Sequence, residues 1–482
     1  MRVQRVQTGV RLEKRLLVAA LAFGTFLGVG PADAKAQSGG DGTVLSVTTT
    51  SAQAEEHFWK GFDDIENFFT SRAIRRLEEA LDLDPDFAMA DFMHARYAPG
   101  TTRPERMERM ADAIGALAHA SPAELTLATA IREQYVGNLD AARALYTAAY
   151  ALVPDDPHVA LYYALSVGAP ASPQRLAALG EVREAHPEFP AAADVIAYTQ
   201  WSMGDAVGSR RSVTRYLELD PLHPNSHDSY AELFQFSGLF EDAIAHYERA
   251  LELDPTFPGG YTGLAEAHSL AGRGDMARAA LERGAPHMGS TASRDNLLRA
   301  KANTYLMEGD VRRALETLRE AVRTFEANDN RTQAAQVHHE LAIAQALFGD
   351  AGTVSSHLSK ATQHREATVA QHALASIAHG LAGHADAAYA AADAYARAAE
   401  PADEFVFALR AYALMVRGNA EEARSMLLRS SLWGPWEMAF MALVEKSLGN
   451  ESDARRWERS VMADNQHRAF DLNLAFARLL VS

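Results

Sequence analysis

The sequence predicts an all-α fold, an α-solenoid of tandem antiparallel helix hairpins, on three observations. Pro187, Pro221 and Pro255 stand 34 residues apart, a spacing typical of helical repeats. Alanine-rich, helix-forming segments recur along the chain, while the alternating β-branched pattern of half-buried strands is almost absent. At 482 residues the chain exceeds one ordinary core, a limit that an array growing by stacking does not meet.

The first stretch is unlike the rest. Arg2, Arg5, Arg11, Lys14 and Arg15 precede an apolar run from Leu16 to Gly30, and Ala32, Ala34 and Ala36 follow at two-residue spacing. A basic end, a short apolar segment and small residues suit a secretory signal peptide. Residues 1–36 are therefore expected to be removed after Ala36, with Ala34 as the rival position, giving an exported, periplasmic or extracellular chain starting at Gln37. No later segment is apolar enough for a membrane helix. The chain has no cysteine, which excludes a disulfide framework and an acyl-cysteine anchor. Its net charge of −17 becomes −21 without residues 1–36, which carry six basic and two acidic residues. An acidic chain without a basic stripe lacks the term that supplies most nucleic-acid affinity.

Residues 37–52, rich in glycine, serine and threonine, read as a flexible lead. From residue 53 a unit recurs: a glycine, a small residue five later, an aromatic or leucine four after that, alanine three further, then proline. Gly137, Ala142, Tyr146, Ala149 and Pro154 are one example, and Gly238, Ala243, Tyr247, Ala250 and Pro255 another. The glycine suits the left-handed turn that ends a first helix. The small residues let two helices approach, and the large one fills the space beside the next hairpin. Asp-Pro pairs such as Asp84-Pro85, Asp220-Pro221 and Asp254-Pro255 forbid further helix. Gly137, Gly204, Gly238, Gly272, Gly309, Gly349, Gly383, Gly418 and Gly449 share this register. Residues 98–122 and 158–189 are irregular and predict bends or loop insertions, while Phe470, Leu474 and Ala477 predict a capping helix over residues 468–482.

These residues, with Leu264-Ala265 and Leu341-Ala342 at first-helix positions, resemble the tetratricopeptide repeat family over roughly residues 53–467. The resemblance implies a superhelix of hairpins whose inner groove, lined by first-helix residues, receives a protein or peptide segment. Carried onto this chain, the wall comprises Asp194, Tyr198 and Trp201, then Asn225, Asp228, Glu232 and Gln235, then Thr262, Glu266 and Ser269, and further on Arg299, Asn303 and His339. Each is also readable as part of a solvated helix face, although Trp201, if exposed, would be an anchor. Asp194, Asp228, Glu232 and Glu266 would form an acidic strip favouring a basic segment. Arg299 and Asn303 resemble half of a carboxylate clamp, but Glu340 stands where that clamp needs asparagine.

The search for chemistry yields packing readings. His338, His339, His357, His364, His372, His379 and His384 are dense enough to suggest a metal. Yet His57, His227, His338 and His372 share one repeat position where a large packing residue is usual. Asp82, Asp84 and Asp86 begin like a calcium loop, but Phe87 and Met93 replace its glycine and glutamate. There is no Gly-x-Ser-x-Gly, no His-Glu-x-x-His and no phosphate-binding glycine loop. The expectation is an exported, non-catalytic scaffold for a protein or peptide without a cofactor, acting in envelope or secretion-complex assembly. A small-molecule or glycan receptor using Tyr198 and Trp201, and an enzyme with a concealed site, are the alternatives.

Overall fold

The computed structural model describes residues 43–98, 103–288, 291–348, 351–364, 367–399, 403–430, 434–466 and 471–482. The expected signal peptide and the first part of the lead lie outside them. Among the described residues there are twenty-five α-helices and no strand. None of these helices is long and apolar enough to cross a membrane. The chain divides into two compact units, which meet in sequence between Ser226 and His227.

The first unit contains five hairpins: α1 (Ala52–Glu66) with α2 (Thr70–Leu83), α3 (Ala88–Tyr97) with α4 (Arg103–Ala116), α5 (Pro122–Val136) with α6 (Leu139–Leu152), α7 (Pro157–Ser166) with α8 (Pro173–Ala185), and α9 (Pro190–Ser202) with α10 (Ala206–Leu219). The irregular stretches are hairpins as well. In both, the first helix, α3 or α7, has only ten residues, and at the second the turn includes Gly168 at φ 64°.

The second unit opens on α11 (Pro224–Phe236), which starts just before the division, paired with α12 (Phe240–Leu253). There follow α13 (Pro258–Leu270) with α14 (Gly274–Gly284), α15 (Thr291–Met307) with α16 (Val311–Ala327), and α17 (Arg331–Leu347) with α18 (Val354–His364). The last pairs are α19 (Val369–Leu381) with α20 (Ala385–Ala398), α21 (Phe405–Val416) with α22 (Ala420–Leu427), and α23 (Pro435–Ser447) with α24 (Glu451–Met462). A single helix, α25 (Asn473–Val481), closes the unit and buries Leu474, Phe476 and Ala477. Phe470 lies outside the described residues.

The predicted register has a local cause at each point. Every glycine of the series except Gly349, which is not described, takes positive φ, from 73° at Gly272 to 92° at Gly137 and Gly418. In the first hairpin Phe68 occupies that slot at φ 57°, a conformation that costs a side-chain-bearing residue about 1–2 kcal/mol. Asp84, Asp220 and Asp254 cap the C-terminal ends of α2, α10 and α12. Ala73, Leu77, Ala142, Tyr146, Ala243, Tyr247, Ala314 and Leu318 are all buried in the seams.

The lead departs from expectation. Residues 45–49 form no regular element, yet Leu45 and Val47 are buried in the core of the first unit. The segment crosses three successive hairpin junctions. The Leu45 amide donates to Asp156 Oδ2 at 3.1 Å, the Thr48 amide to both Glu124 carboxylate oxygens at 3.1 Å, and the Thr50 amide to Asp84 Oδ2 at 2.8 Å. Composition missed this because a polar segment with only two buried apolar residues looks like a linker.

Candidate functional site

The residues assigned to the partner-binding wall lie on first helices, as the repeat register requires: Asp194, Tyr198 and Trp201 on α9, Asn225, Asp228, Glu232 and Gln235 on α11, Glu266 on α13, Arg299 and Asn303 on α15, and His339 on α17. Spacings of three or four residues put each set on one helix face. They are not a solvated face. Asp194, Tyr198, Asn225, Asp228, Glu232, Gln235, Glu266, Arg299, Asn303 and His339 are all buried, and Trp201 is partly buried. A buried row of carboxylates is a different physical object from a solvated acidic strip, because each must be compensated by donors or cations.

These residues are engaged within the protein, as five of them illustrate; Gln235, for one, accepts from the Tyr247 hydroxyl at 3.4 Å. Asn225 donates through Nδ2 to the Tyr216 hydroxyl at 3.1 Å, and its amide donates to His223 Nδ1 at 3.1 Å. Tyr216 donates in turn to Asn67 at the end of α1. Arg299 is held by Glu340: Nε donates to Oε2 at 3.1 Å and Nη2 to Oε1, with Asn296 and Gln333 at 3.4 Å from Nη1. Asn303 Nδ2 donates to the Asp471 carbonyl at 3.1 Å. The clamp comparison fails for a physical reason: the guanidinium that would bind a partner carboxylate already binds Glu340. His339 lies against the Ala335 carbonyl, 2.8 Å from Nδ1, and burial pushes its imidazole below the usual range despite that bond.

The histidine density resolves into pairs rather than one cluster. His227 and His246 stack with Nδ1 atoms 2.9 Å apart, and His338 and His357 repeat the arrangement at 3.2 Å. Both pairs join a first helix to its second helix across 19 residues. Burial, then the neighbouring His357, depress the His338 imidazole.

One group was not anticipated. Asp63 and Glu66 on α1 and His158 on α7 bring donor atoms within 4.8 Å of one another. His158 Nδ1 lies 2.8 Å from Glu66 Oε2, and Nε2 lies 4.0 Å from Asp63 Oδ1. Burial works against the His158 cation, but Glu66 and then Asp63 outweigh it and raise the imidazole to about 9. Asp63 keeps more than half of its side chain exposed, yet the desolvation of its carboxylate by surrounding protein, together with the adjacent Glu66, raises it to about 6. The 92 residues between Glu66 and His158 leave no motif in the sequence.

Residues 237–302 match the family described as tetratricopeptide repeat. No curated protein matches the chain. Among solved structures, a thermophilic TPR protein of Thermus thermophilus is similar over 36% of this chain and 94% of its own, at 18% identity and TM-score 0.32. Yeast Tom70 is similar over 84% of this chain and 96% of its own, at 13% identity and TM-score 0.45. A tetratricopeptide repeat protein from Parabacteroides merdae is similar over 61% and 98%, at 13% identity and TM-score 0.37. The hairpins flanking the matched segment repeat its glycine turn and its small and large seam positions, so residues 237–302 sit within a longer solenoid of tetratricopeptide-type hairpins.

Proposed function

We propose that this chain is a non-catalytic scaffold that holds a polypeptide partner on its first-helix faces and favours basic segments. The observation that carries the reading is the carboxylate row of the second unit: Asp228 and Glu232 on α11 and Glu266 on α13, with Glu232 and Glu266 at the same repeat position. These side chains are buried on the same two helices that supply the seam residues Ala231, Leu264 and Ala265. In the first unit Trp201 lies partly buried on α9, and an aromatic so placed can anchor a partner. The basic and apolar layout of residues 1–36 supports a role outside the cytoplasm, in assembly of an envelope or secretion complex.

The test begins with capture of polypeptides from an envelope extract and N-terminal sequencing of the exported chain, which is expected to start at Gln37. Because the carboxylates are buried, neutral isosteres are the right probes. Asp228→Asn with Glu232→Gln should slow association and flatten its salt dependence, whereas Trp201→Ala should mainly speed dissociation. Unchanged rates in both variants, with melts like wild type, would remove the proposed faces from the binding surface.

A further inference from the structure

We propose that Asp63, Glu66 and His158 form a binding site for a divalent first-row transition metal ion, with zinc as the best-matched probe. Asp63 and Glu66 are separated by three residues on α1 and so project from one face. His158 is brought to them by the second residue of α7, whose start is fixed by the Asp156 cap and Pro157.

Two features separate this group from an ordinary ion pair. The Glu66 side chain is only 4% exposed, and its Oε1 accepts no hydrogen bond. A buried carboxylate oxygen without a donor is costly, and a cation would satisfy it. His158 Nδ1 faces the same carboxylate, 2.8 Å from Oε2, and is the ligand nitrogen, a cation taking the place of the proton held between them. Donor atoms of all three residues lie within 4.8 Å of one another, and Asp63 is exposed enough to rotate inward. A metal at about 2.0–2.2 Å from each donor would bridge that gap after a small closure.

The surroundings fix the imidazole. Trp59 stacks on His158 with centroids 5.4 Å apart and planes 20° apart. Phe62 and Phe189 pack edge-on at 5.2 and 5.1 Å. An oriented imidazole with two carboxylates selects against magnesium and calcium, which take oxygen donors, and suits zinc and its neighbours. Three protein donors leave a fourth position for water or for a group of a partner.

The experiment is a calorimetric titration of the chelator-treated chain with zinc chloride, magnesium chloride being the control, alongside thermal melts. Zinc should bind with a dissociation constant in the micromolar range or below and raise the melting temperature, while magnesium should do neither. Asp63→Asn, at an exposed position, should fold normally and weaken that event about tenfold or more. Glu66→Gln should do the same if it folds, and Asp63→Asn decides the matter if it does not. Absence of zinc binding by the wild-type chain, or an unaltered titration in Asp63→Asn, would overturn the proposal. The second result would place the metal on other ligands such as the His338 and His357 pair.

Discussion

His223 Nε2 lies 3.3 Å from Asp64 Oδ1, although 159 residues separate them. Asp64 is 1% exposed and also receives Arg72, whose Nε is 2.9 Å away, and Arg76, whose Nη1 is 3.0 Å away. Burial opposes this carboxylate, but the bonds from His223 and Arg72 outweigh it and hold it below the usual range. With Tyr216 donating to Asn67 nearby, the first hairpin of the first unit is tied to the segment that follows its fifth.

Asp64→Asn keeps the shape and removes the charge, leaving Arg72 and Arg76 without their buried anion. Breaking one partner of such a group costs about 3–5 kcal/mol. Urea unfolding followed by circular dichroism should show that loss in the transition of the first unit, with the second unit unchanged.

A second relationship tests the repeat register. A Cβ on Gly263 of α13 would stand 2.7 Å from Tyr247 Cδ1 of α12 and closer still to Cε1 and Cζ. Alanine normally improves a helix over glycine by about 0.5–1 kcal/mol. Here overpacking at about 1–3 kcal/mol outweighs that gain, so Gly263→Ala should lower the melting temperature. Tyr247→Leu should remove the clash, and a double-mutant cycle should be strongly non-additive.

These pairs mark where sequence reasoning succeeds and stops. Tyr247, Ala250 and the turn glycines were legible because each belongs to a 34-residue period that couples neighbours only. Asp64 with His223, and Glu66 with His158, join hairpins that are not adjacent, and no period records that. The buried state of Asp228 and Glu232 was illegible for a related reason. Charged residues on one helix face look the same in sequence whether water or protein covers them. The lead failed differently, since Thr48, Thr49 and Thr50 have the composition of a linker but donate to Glu124 and Asp84.

The lead therefore carries its own prediction. Leu45 is buried, and burying such a side chain is worth about 1.5–3 kcal/mol. Leu45→Asp should cost at least that, because it also sets a carboxylate near Asp156, which accepts the Leu45 amide. Limited proteolysis is the check. The variant should be cut ahead of Ser51 much faster than the wild type, while cleavage in the second unit stays as it was.

The last prediction concerns acid. His338, His339, His246, His268 and His379, all in the second unit, have imidazoles depressed below the ordinary value of 6.5, with burial as the largest cause in each. For His338, Glu326 favours the cation, but burial and His357 prevail, and Lys360 adds to them. A depressed imidazole binds its proton more readily in the unfolded chain. Its contribution is thus complete above pH 6.5 and is lost progressively as the pH falls below that value. The melting temperature of the second unit should decline between pH 7 and pH 5. His338→Phe keeps a large side chain at the seam position and removes one titrating group. Its decline over the same interval should be shallower by about 2–5 °C. Parallel melts of the two proteins at each pH measure the difference directly, and identical slopes would show that the His338 and His357 pair does not set the acid limit of the fold.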